Sequence, residues 1–381
     1  MYIKRLILFC LVLCSACKDR VESSLSTSNT ESLILKYAKG FSVDYYNDYK
    51  VIHIVQPWQG ASKEFSYILI SEEELAKTSF PKNTYDGIII NPLDRIVVTS
   101  TTHLPALELL EETKALVGFP GTDYISSNTI RQAIAAGNVR DLGQNESLNT
   151  EVLIELNPDV IVGFGVDEVN KAFSTAEKAG IPVIYNGDWV ESSPLAKAEW
   201  LKLFGVLLNK EKQADSIFKR IEKNYIDAMQ LAQQTKHSPT ILSGAMHNDV
   251  WYLPKGSSTE AQLLKDAHTS YIWENTKGEG SLALSYETVL DKAKSADIWL
   301  NPSIFSSYTS LKDANQLYTN FEAFASKNIF TIANTKGETG GVLYYELGIS
   351  RPDLVLKDII KIAHPNLLPD YNFVFFKPLQ Q

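Results

Sequence analysis

Short apolar strands alternate with stretches of helical spacing along most of this 381-residue chain. The strand at 95–99 (RIVVT) precedes residues 104–116, where apolar residues recur at helical spacing and Pro105 favours a helix start. Further strands are predicted at 159–164 and 182–185, with a helical stretch between them. Strands that alternate with helices of this length pair in parallel, and helices cover both faces of the sheet. The chain is therefore predicted to be an α/β protein.

The stretch from 194 to 236 breaks this alternation. Apart from Pro194 at its start it contains no proline, Gly205 is its only glycine, and apolar residues recur at helical spacing. These features predict one long helix or two in line, after which strands and helices alternate again. We therefore expect an N-terminal α/β lobe over 91–193 and a C-terminal α/β lobe over 237–381, joined by the connecting helix. Such a rigid joint is not expected to allow large hinge closure.

The three cysteines lie at positions 10, 14 and 17. Two basic residues precede a short apolar run, and small residues stand directly before Cys17. This order is typical of a bacterial secretion signal, and it resembles the lipobox of bacterial lipoproteins, which implies a signal peptide over 1–16 and an acylated Cys17. The alternative is an ordinary cleaved signal peptide with an incidental cysteine. Residues 17–32 are polar and predict a flexible tether. We expect a protein that is lipid-anchored to a bacterial membrane and faces the periplasm or the cell exterior.

Composition limits the partners of the chain. The formal net charge is −9 and lysines and arginines are scattered, which argues against nucleic acid as a partner. Hydrophobic residues make up 44% of the chain, enough for a large core without disulfides. Residues 33–90 have strand composition at 43–56 and 65–70, which predicts a small antiparallel extension before the N-terminal lobe.

Sequence motifs of common enzymes are absent. The chain has neither the Gly-x-Gly-x-x-Gly nor the Gly-x-x-x-x-Gly-Lys-Ser/Thr phosphate loop, and it also lacks Gly-x-Ser-x-Gly and His-Glu-x-x-His. The six histidines show no spacing that builds a zinc site. We therefore do not expect an enzyme, and we expect no cofactor and no resident metal.

Six segments of the chain resemble one protein family. In chain order they are RIVVTSTTHLPALELL, LVGFPG, LNTEVLIELNPDVIVGFG, AEWLKLFGVLLNKEKQA, VWYLPKGSSTEAQLLKDA and YYELGISRPDLVLKDI. They are similar to periplasmic substrate-binding proteins that serve importers of iron complexes and vitamin B12. The resemblance implies two Rossmann-like lobes joined by a rigid helix, the class III architecture, with a ligand cleft between the lobes. It also implies delivery to an ABC permease with its ATPase subunits, and we expect a monomer.

The carboxyl ends of the strands supply the candidate ligand-binding residues, because ligands of open α/β sheets bind there. They are aromatic, hydroxyl-bearing and basic side chains: Thr101, Thr102, His103, Phe119, Tyr124, Phe164, Trp251, Tyr252, Ser258, Phe305, Tyr344 and Arg351. Aromatic walls with hydroxyls and a guanidinium suit a large, flat, partly polar ligand. Trp251 and Tyr252 are favoured because they stand in front of a Pro-Lys-Gly-Ser-Ser loop.

Each of these candidates has a structural alternative. Any of the aromatic side chains can instead belong to the core. His103 is either a metal ligand or a hydrogen-bonding or capping residue at a strand-to-helix loop. Arg351 either binds a carboxylate of the ligand or pairs with Asp353 or Glu346.

Glu151 and Glu287 occupy similar places in the two predicted lobes. Each follows a polar dipeptide, opens a short helix and precedes an apolar strand. A carboxylate in the first turn of a helix is favoured by the helix dipole by about 0.3–1 kcal/mol, which is a sufficient structural reason for its presence. The resemblance implies a further role, because family members carry a surface glutamate on each lobe that docks on arginines of the permease.

The resemblance implies that the ligand is either a metal chelate, namely a ferric siderophore or haem, or a corrinoid such as cobalamin. Cobalamin binders of the family often place an aromatic residue just before the docking glutamate, where this chain has Gln144 and Asn145. This difference favours the siderophore or haem. A zinc- or manganese-binding lipoprotein is the second alternative. It is disfavoured because the six histidines of the chain form no cluster in the sequence.

Overall fold

The computed structural model describes residues 31–145, 147–166, 170–278 and 280–381. The predicted signal peptide, Cys17 and most of the predicted tether lie outside the described residues. Within the described ranges, no helix is both long enough and apolar enough to cross a membrane.

An N-terminal sheet precedes the first lobe. Its strands are β1 (Glu31–Ser32), β2 (Phe41–Tyr45), β3 (Tyr49–Ile54), β4 (Phe65–Ser71) and β5 (Gly87–Asn91), in that spatial order, and helix α1 (Glu72–Leu75) follows β4. Neighbouring strands are antiparallel except for the parallel pair β4 and β5. The strand predicted over 43–56 is two strands, because the chain turns where the Tyr46 amide donates to the Tyr49 carbonyl at 2.9 Å. One face of the sheet, which includes Ile52 and Tyr67, belongs to the hydrophobic core of the N-terminal lobe.

The N-terminal lobe is built on a parallel sheet. The strands of this lobe are β6 (Ile96–Val98), β7 (Leu116–Phe119), β8 (Arg140–Asp141), β9 (Gly143–Gln144), β10 (Ser147–Leu148), β11 (Val160–Gly163) and β12 (Val183–Tyr185). Its helices are α2 (Leu104–Leu109), α3 (Asn128–Ala135), α4 (Thr150–Leu156) and α5 (Lys171–Lys178). The sheet has the order β12-β11-β6-β7-β8, and β9 and β10 pair separately. The helix predicted over 104–116 is shorter, because Glu111 adopts a left-handed φ of 60° before the chain enters β7.

Three described helices occupy the stretch over which one connecting helix, or two in line, is predicted. They are α6 (Pro194–Glu199), α7 (Leu201–Leu207) and α8 (Glu211–Ala232). The helical conformation is interrupted between α7 and α8, where Asn209 has a left-handed φ of 55°. Helix α8 is the bridge, because Ile217 and Ile221 belong to the core of the N-terminal lobe and Tyr225 to the core of the C-terminal lobe. Its 22 residues span roughly 33 Å, so the two cores share one rigid element.

The C-terminal lobe contains a second α/β sheet and a small antiparallel sheet. Its strands are β13 (Thr240–Ser243), β14 (Ala245–His247), β15 (Val250–Pro254), β16 (Ser270–Tyr271), β17 (Ser281–Ser285), β18 (Ile298–Leu300), β19 (Ile329–Thr331) and β20 (Lys377–Pro378). Its helices are α9 (Thr259–Asp266), α10 (Tyr286–Ala293), α11 (Tyr308–Ala314), α12 (Glu322–Ala325), α13 (Leu343–Leu347) and α14 (Pro352–Ala363). The main sheet has the order β16-β13-β18-β19-β20 and is parallel apart from β20, and the small sheet has the order β14-β15-β17. Two α/β lobes around parallel sheets confirm the predicted fold class.

Candidate functional site

The carboxyl ends of β6, β7 and β11 open into a cavity between the lobes. This cavity, the aromatic pocket, has a volume of about 480 Å³. The N-terminal lobe lines it with Thr99, Ser100, Thr101, Phe119, Pro120, Gly121, Tyr124, Gly143, Gln144, Asn145 and Phe164, and the C-terminal lobe adds Gly341, Val342 and Tyr345. The two lobes therefore share a concave site at the place where open α/β sheets bind ligands.

Tight connections hold these strand ends in place. The Thr99 hydroxyl, directly after β6, accepts a hydrogen bond from the Phe164 amide after β11 at 2.8 Å. After β7, Gly121 adopts a left-handed φ of 70°, and a Cβ there would approach the Tyr124 ring to 2.9 Å. Glycine therefore lets the chain turn here without displacing the ring. The sheet itself positions the wall of the pocket.

Aromatic rings line this pocket from both lobes. Tyr124 of the N-terminal lobe is 70% exposed and Tyr345 of the C-terminal lobe is 60% exposed, whereas Phe119 is buried and offers little surface. The Phe164 ring packs against Trp189 with the ring centroids 5.8 Å apart. Exposed tyrosines can stack on a flat ligand and can also hydrogen-bond its polar edge. The pocket thus combines apolar faces with a few polar groups.

Two further cavities of about 270 Å³ each lie between the same lobes. The first, the polar pocket, is lined by Gln59, Trp189, Val190, Glu191, Ser192, Lys197, Pro254, Ser258, Thr259, Glu260, Gly280 and Ser281. The second, beside α13, is lined by Thr102, Pro194, Lys197, Thr259, Glu260, Leu263, Tyr344, Tyr345, Gly348, Ile349 and Pro352. Lys197 and Glu260 line both, and Tyr345 lines the second cavity and the aromatic pocket. Shared lining residues therefore link the three cavities, which together are called the cleft.

Two carboxyl groups at the polar pocket have raised pKa values. Burial raises the pKa of Asp188 to about 6, and the Lys197 ammonium opposes this shift. Asp188 is buried directly before the lining residue Trp189, and its Oδ1 has no hydrogen-bond partner among the described residues. Burial also raises the pKa of Glu260, which accepts a hydrogen bond from the Ser243 hydroxyl at 2.6 Å. Both carboxyl groups therefore hold a proton more readily than exposed ones do.

An interlobe clasp joins the two lobes next to the aromatic pocket. The Glu346 carboxylate of α13 accepts a hydrogen bond from the Ser126 amide at 2.5 Å, and the Ser126 hydroxyl donates to the Gly341 carbonyl at 3.0 Å. The Thr339 hydroxyl donates to the Asp123 carbonyl at 2.7 Å. Burial raises the pKa of Glu346 to about 7, and the Ser126 amide opposes this shift. These contacts join the two walls of the aromatic pocket directly through protein groups.

Seven of the predicted ligand-binding residues line the cleft. Thr101, Phe119, Tyr124 and Phe164 line the aromatic pocket, Ser258 lines the polar pocket, and Thr102 and Tyr344 line the cavity beside α13. All of them except Tyr344 lie at the end of a strand or in the segment that follows it, as the strand-end rule requires. Ligand contact by these residues stays a prediction.

Trp251 and His103 are wrong as ligand-contact predictions, because both side chains are fully buried. Trp251 packs against Trp299 with the ring centroids 5.4 Å apart and donates its indole N–H to the Ser243 carbonyl at 3.0 Å. The His103 ring lies 6.0 Å from the Phe204 ring, centroid to centroid, and makes no hydrogen bond of standard geometry with a described residue. Burial lowers the pKa of His103 to about 3, so the ring is neutral.

Three other predicted residues do not line any of the three cavities described. Tyr252 is 43% exposed on β15, and Phe305 packs against Tyr318 with the ring centroids 6.1 Å apart. The Arg351 guanidinium binds Asp353 twice, from Nε to Oδ1 at 2.8 Å and from Nη2 to Oδ2 at 2.9 Å. Asp353 is fully buried, so Arg351 pairs with it as the structural role described in the sequence analysis requires.

Many residues of the cleft are not among the predicted ligand-binding residues, and Gln59, Trp189, Lys197 and Glu260 are four of them. Trp189 follows β12, so the strand-end rule could have found it. Glu260 lies in the first turn of α9, next to the predicted Ser258, and could have been found with it. Gln59 belongs to the N-terminal sheet, and no signal in the sequence places it beside a cleft.

Glu151 and Glu287 lie in the first turns of α4 and α10, as predicted, and both are exposed. The side chains of Asn149 and Ser285 cap the two helices by accepting a backbone amide hydrogen bond. Each glutamate therefore has a favourable place at a helix start and a carboxylate open to an external partner. Docking on a permease stays a prediction.

Comparisons with known proteins agree with the two-lobed geometry. Residues 96–335 match the family model described as periplasmic binding protein. An uncharacterized lipoprotein of Methanocaldococcus jannaschii is 26% identical over 363 residues, which cover 90% of this chain and 84% of that protein.

Two solved structures have the same fold. A possible iron-binding periplasmic solute-binding protein of Staphylococcus epidermidis has a TM-score of 0.55 and 18% identity, covering 71% of this chain and 99% of that chain. A periplasmic haem-binding protein of Pseudomonas aeruginosa has a TM-score of 0.56 and 15% identity, covering 76% of this chain and 99% of that chain. With a family match over most of both lobes, this chain belongs to the periplasmic binding protein family, and it is therefore a binding protein and not an enzyme.

Proposed function

We propose that this protein captures a metal chelate, a ferric siderophore or haem, in the aromatic pocket and delivers it to an ABC permease and its ATPase subunits, docking through Glu151 and Glu287. The observation that carries the proposal is a cavity of about 480 Å³ whose rings come from both lobes. Tyr124 and Phe164 follow strands of one lobe, and Tyr345 lies on α13 of the other. Pockets of about 300–1,000 Å³ with aromatic walls and few polar groups are typical small-molecule sites.

Polar groups at the edge of the pocket support a partly polar ligand. Asn145 lines the pocket, and its side-chain oxygen has no hydrogen-bond partner among the described residues. The Thr101 hydroxyl donates to the Tyr345 carbonyl at 3.3 Å and so ties the two walls together. The described lining residues carry no charged side chain. This lining suits a chelate in which the metal charge is compensated by the chelating groups themselves.

Two other kinds of ligand, a corrinoid and a bare metal ion, are alternatives to the chelate. A corrinoid is also large and flat, and Gln144 and Asn145 line the pocket that it would enter. Bare zinc or manganese would require clustered side-chain ligands. Among the described residues, no group of three or more His, Cys, Asp or Glu side chains is placed to hold a metal ion. The ring-lined cavity therefore supports a chelate first.

Replacing Tyr345 by alanine is expected to weaken chelate binding by about 1–3 kcal/mol, because the variant loses a ring that stacks on the ligand. The measurement is an absorbance titration of the soluble chain with haem, cyanocobalamin and several ferric siderophores. Tyr252→Ala is the matched control, since Tyr252 is an exposed tyrosine of the same lobe outside the cleft cavities.

Each result of this titration has a distinct meaning. Binding of cyanocobalamin alone would replace the chelate by a corrinoid, and binding of zinc or manganese without any chelate would establish the metal-ion alternative. Equal affinities of the Tyr345→Ala and Tyr252→Ala variants would show that the ligand does not bind in the aromatic pocket.

We also propose that acyl chains on Cys17 hold the protein at a bacterial membrane, facing the periplasm or the cell exterior. The relative named as a lipoprotein supports this proposal. Changing Cys17→Ser should move the protein from the membrane fraction to the soluble fraction, because each buried CH₂ of an acyl chain contributes about 0.8 kcal/mol. Cell fractionation followed by immunoblotting measures this change. Retention of the Cys17→Ser variant at the membrane would contradict the lipid anchor.

A further inference from the structure

The loop between β3 and β4 of the N-terminal sheet reaches the ligand cleft. Gln59, which is exposed in this loop, lines the polar pocket together with Gly280 and Ser281 of the C-terminal lobe. The family match begins at residue 96, so this loop belongs to the part of the chain that precedes the match. The N-terminal sheet thus contributes directly to the cleft between the lobes.

Two contacts hold the loop against the N-terminal lobe, and a third ties it to the segment before β2. Trp58 is buried and packs on Tyr185 of β12 with the ring centroids 5.3 Å apart. The Gln56 carbonyl comes so close to Gly187 that a Cβ at position 187 would lie 2.1 Å from its oxygen. The Gln56 amide also donates to the Gly40 carbonyl at 3.3 Å. Ring packing, close backbone contact and a hydrogen bond therefore fix the loop beside the segment that follows β12.

Buried carboxylates secure the chain segment that leads into the sheet. Glu191 accepts hydrogen bonds from the amides of Lys39 and Gly40, both at 2.8 Å. Glu199 accepts hydrogen bonds from the amides of residues 36–38, at 2.7 to 3.1 Å. Glu191 also lines the polar pocket. The N-terminal sheet and this wall of the pocket are thus one connected unit rather than separate parts.

The polar pocket offers hydrogen-bonding groups more than rings. Lys197 lines it and donates from its ammonium to the Trp189 carbonyl at 2.9 Å, and Glu260 also lines it. Asp188 directly precedes the lining residue Trp189, and the Oδ1 atom of this buried side chain has no hydrogen-bond partner among the described residues. Its volume of about 270 Å³ is below the range of about 300–1,000 Å³ for sites that hold a whole small molecule. The pocket therefore suits a substituent of a ligand whose main body lies elsewhere in the cleft.

We infer that the β3–β4 loop forms a third wall of the ligand cleft and that Gln59 contacts a hydrogen-bonding substituent of the bound chelate. This inference rests on the proposed function. The aromatic pocket holds the flat part of the chelate, and the polar pocket holds an amide, hydroxyl or carboxylate arm. The N-terminal sheet is then a specificity-determining element of this protein, because it decides which arms fit.

The test compares two tryptophan substitutions in the same loop. Gln59→Trp fills the polar pocket and should weaken binding of an arm-bearing chelate at least about tenfold, whereas Ser62→Trp, at an exposed position outside the cavity, should leave affinity within about twofold. Gln59→Ala removes hydrogen bonds without adding bulk and should weaken binding about threefold to tenfold. The probes are haem, ferric desferrioxamine B and cyanocobalamin, and each is titrated against the soluble chain that carries no acyl group. Thermal unfolding shows that each variant is folded.

The outcomes separate this inference from the proposed function. Tighter binding to Ser62→Trp than to Gln59→Trp by tenfold or more supports the third wall. Equal binding by the wild type and Gln59→Trp would overturn the inference and leave the proposed function intact. Equal weakening by Ser62→Trp and Gln59→Trp would also overturn it, because the effect would not depend on the pocket. A wild-type protein that binds none of the probes would overturn the proposed function, and the inference with it.

Discussion

Changing Trp251→Ala is expected to lower the free energy of unfolding by about 3–5 kcal/mol, the range for removing a large side chain from a packed core. Trp251 is fully buried, and its ring lies 5.4 Å from Trp299 and 5.3 Å from Phe321, centroid to centroid. The substitution removes these contacts, opens a cavity and leaves the Ser243 carbonyl without the indole N–H. Urea unfolding followed by circular dichroism measures the loss.

Tyr252→Ala is the matched control for this prediction. Tyr252 is the next residue of β15 and is 43% exposed, so its substitution should change the free energy of unfolding by only about 0.5 kcal/mol. Haem binding gives a second readout, because a core residue should affect affinity only through the stability of the fold. A Trp251→Ala variant with wild-type stability and weakened haem binding would contradict the core assignment.

The position of Trp251 shows why one sequence does not resolve which side chains face a ligand. Side chains alternate between the two faces of a strand, and on β15 Trp251 and Leu253 are buried while Tyr252 is exposed. Both faces of the segment VWYLP carry apolar or aromatic residues, so no polar residue marks the outer face. The register therefore becomes clear only when the neighbouring strands β14 and β17 are in place.

Local patterns predict the fold class and part of the site. The alternation of strands and helices is repeated many times, so single errors do not change the α/β class, and the ends of β6, β7 and β11 carry Thr101, Phe119 and Phe164 as expected. Gln59 could not be predicted, because its place in the cleft depends on how the N-terminal sheet packs on the lobe. The break between α7 and α8 depends on one left-handed residue, Asn209, which helical periodicity does not reveal.

Replacing Glu151 and Glu287 together by arginine is expected to abolish uptake while ligand affinity stays unchanged. Neither residue lines the three described cleft cavities, and both are exposed in the first turn of a helix. Against permease arginines, each substitution turns an attraction into a repulsion, which should cost the docked complex roughly 2–5 kcal/mol per site. The double variant should therefore lose more than either single variant. Uptake into vesicles that carry the cognate permease, measured beside ligand titration, checks both parts.

The control for charge reversal is Glu73→Arg combined with Asp227→Arg. These side chains are 79% and 55% exposed on other helices, so this double variant has the same net charge without changing the two helix starts. Its uptake should match the wild type, because general charge repulsion is screened over about 8–10 Å in physiological salt. Normal uptake by the Glu151→Arg/Glu287→Arg protein would contradict docking. The two glutamates would then keep only their favourable interaction with the helix dipoles, and thermal unfolding would detect its loss as a small decrease in stability.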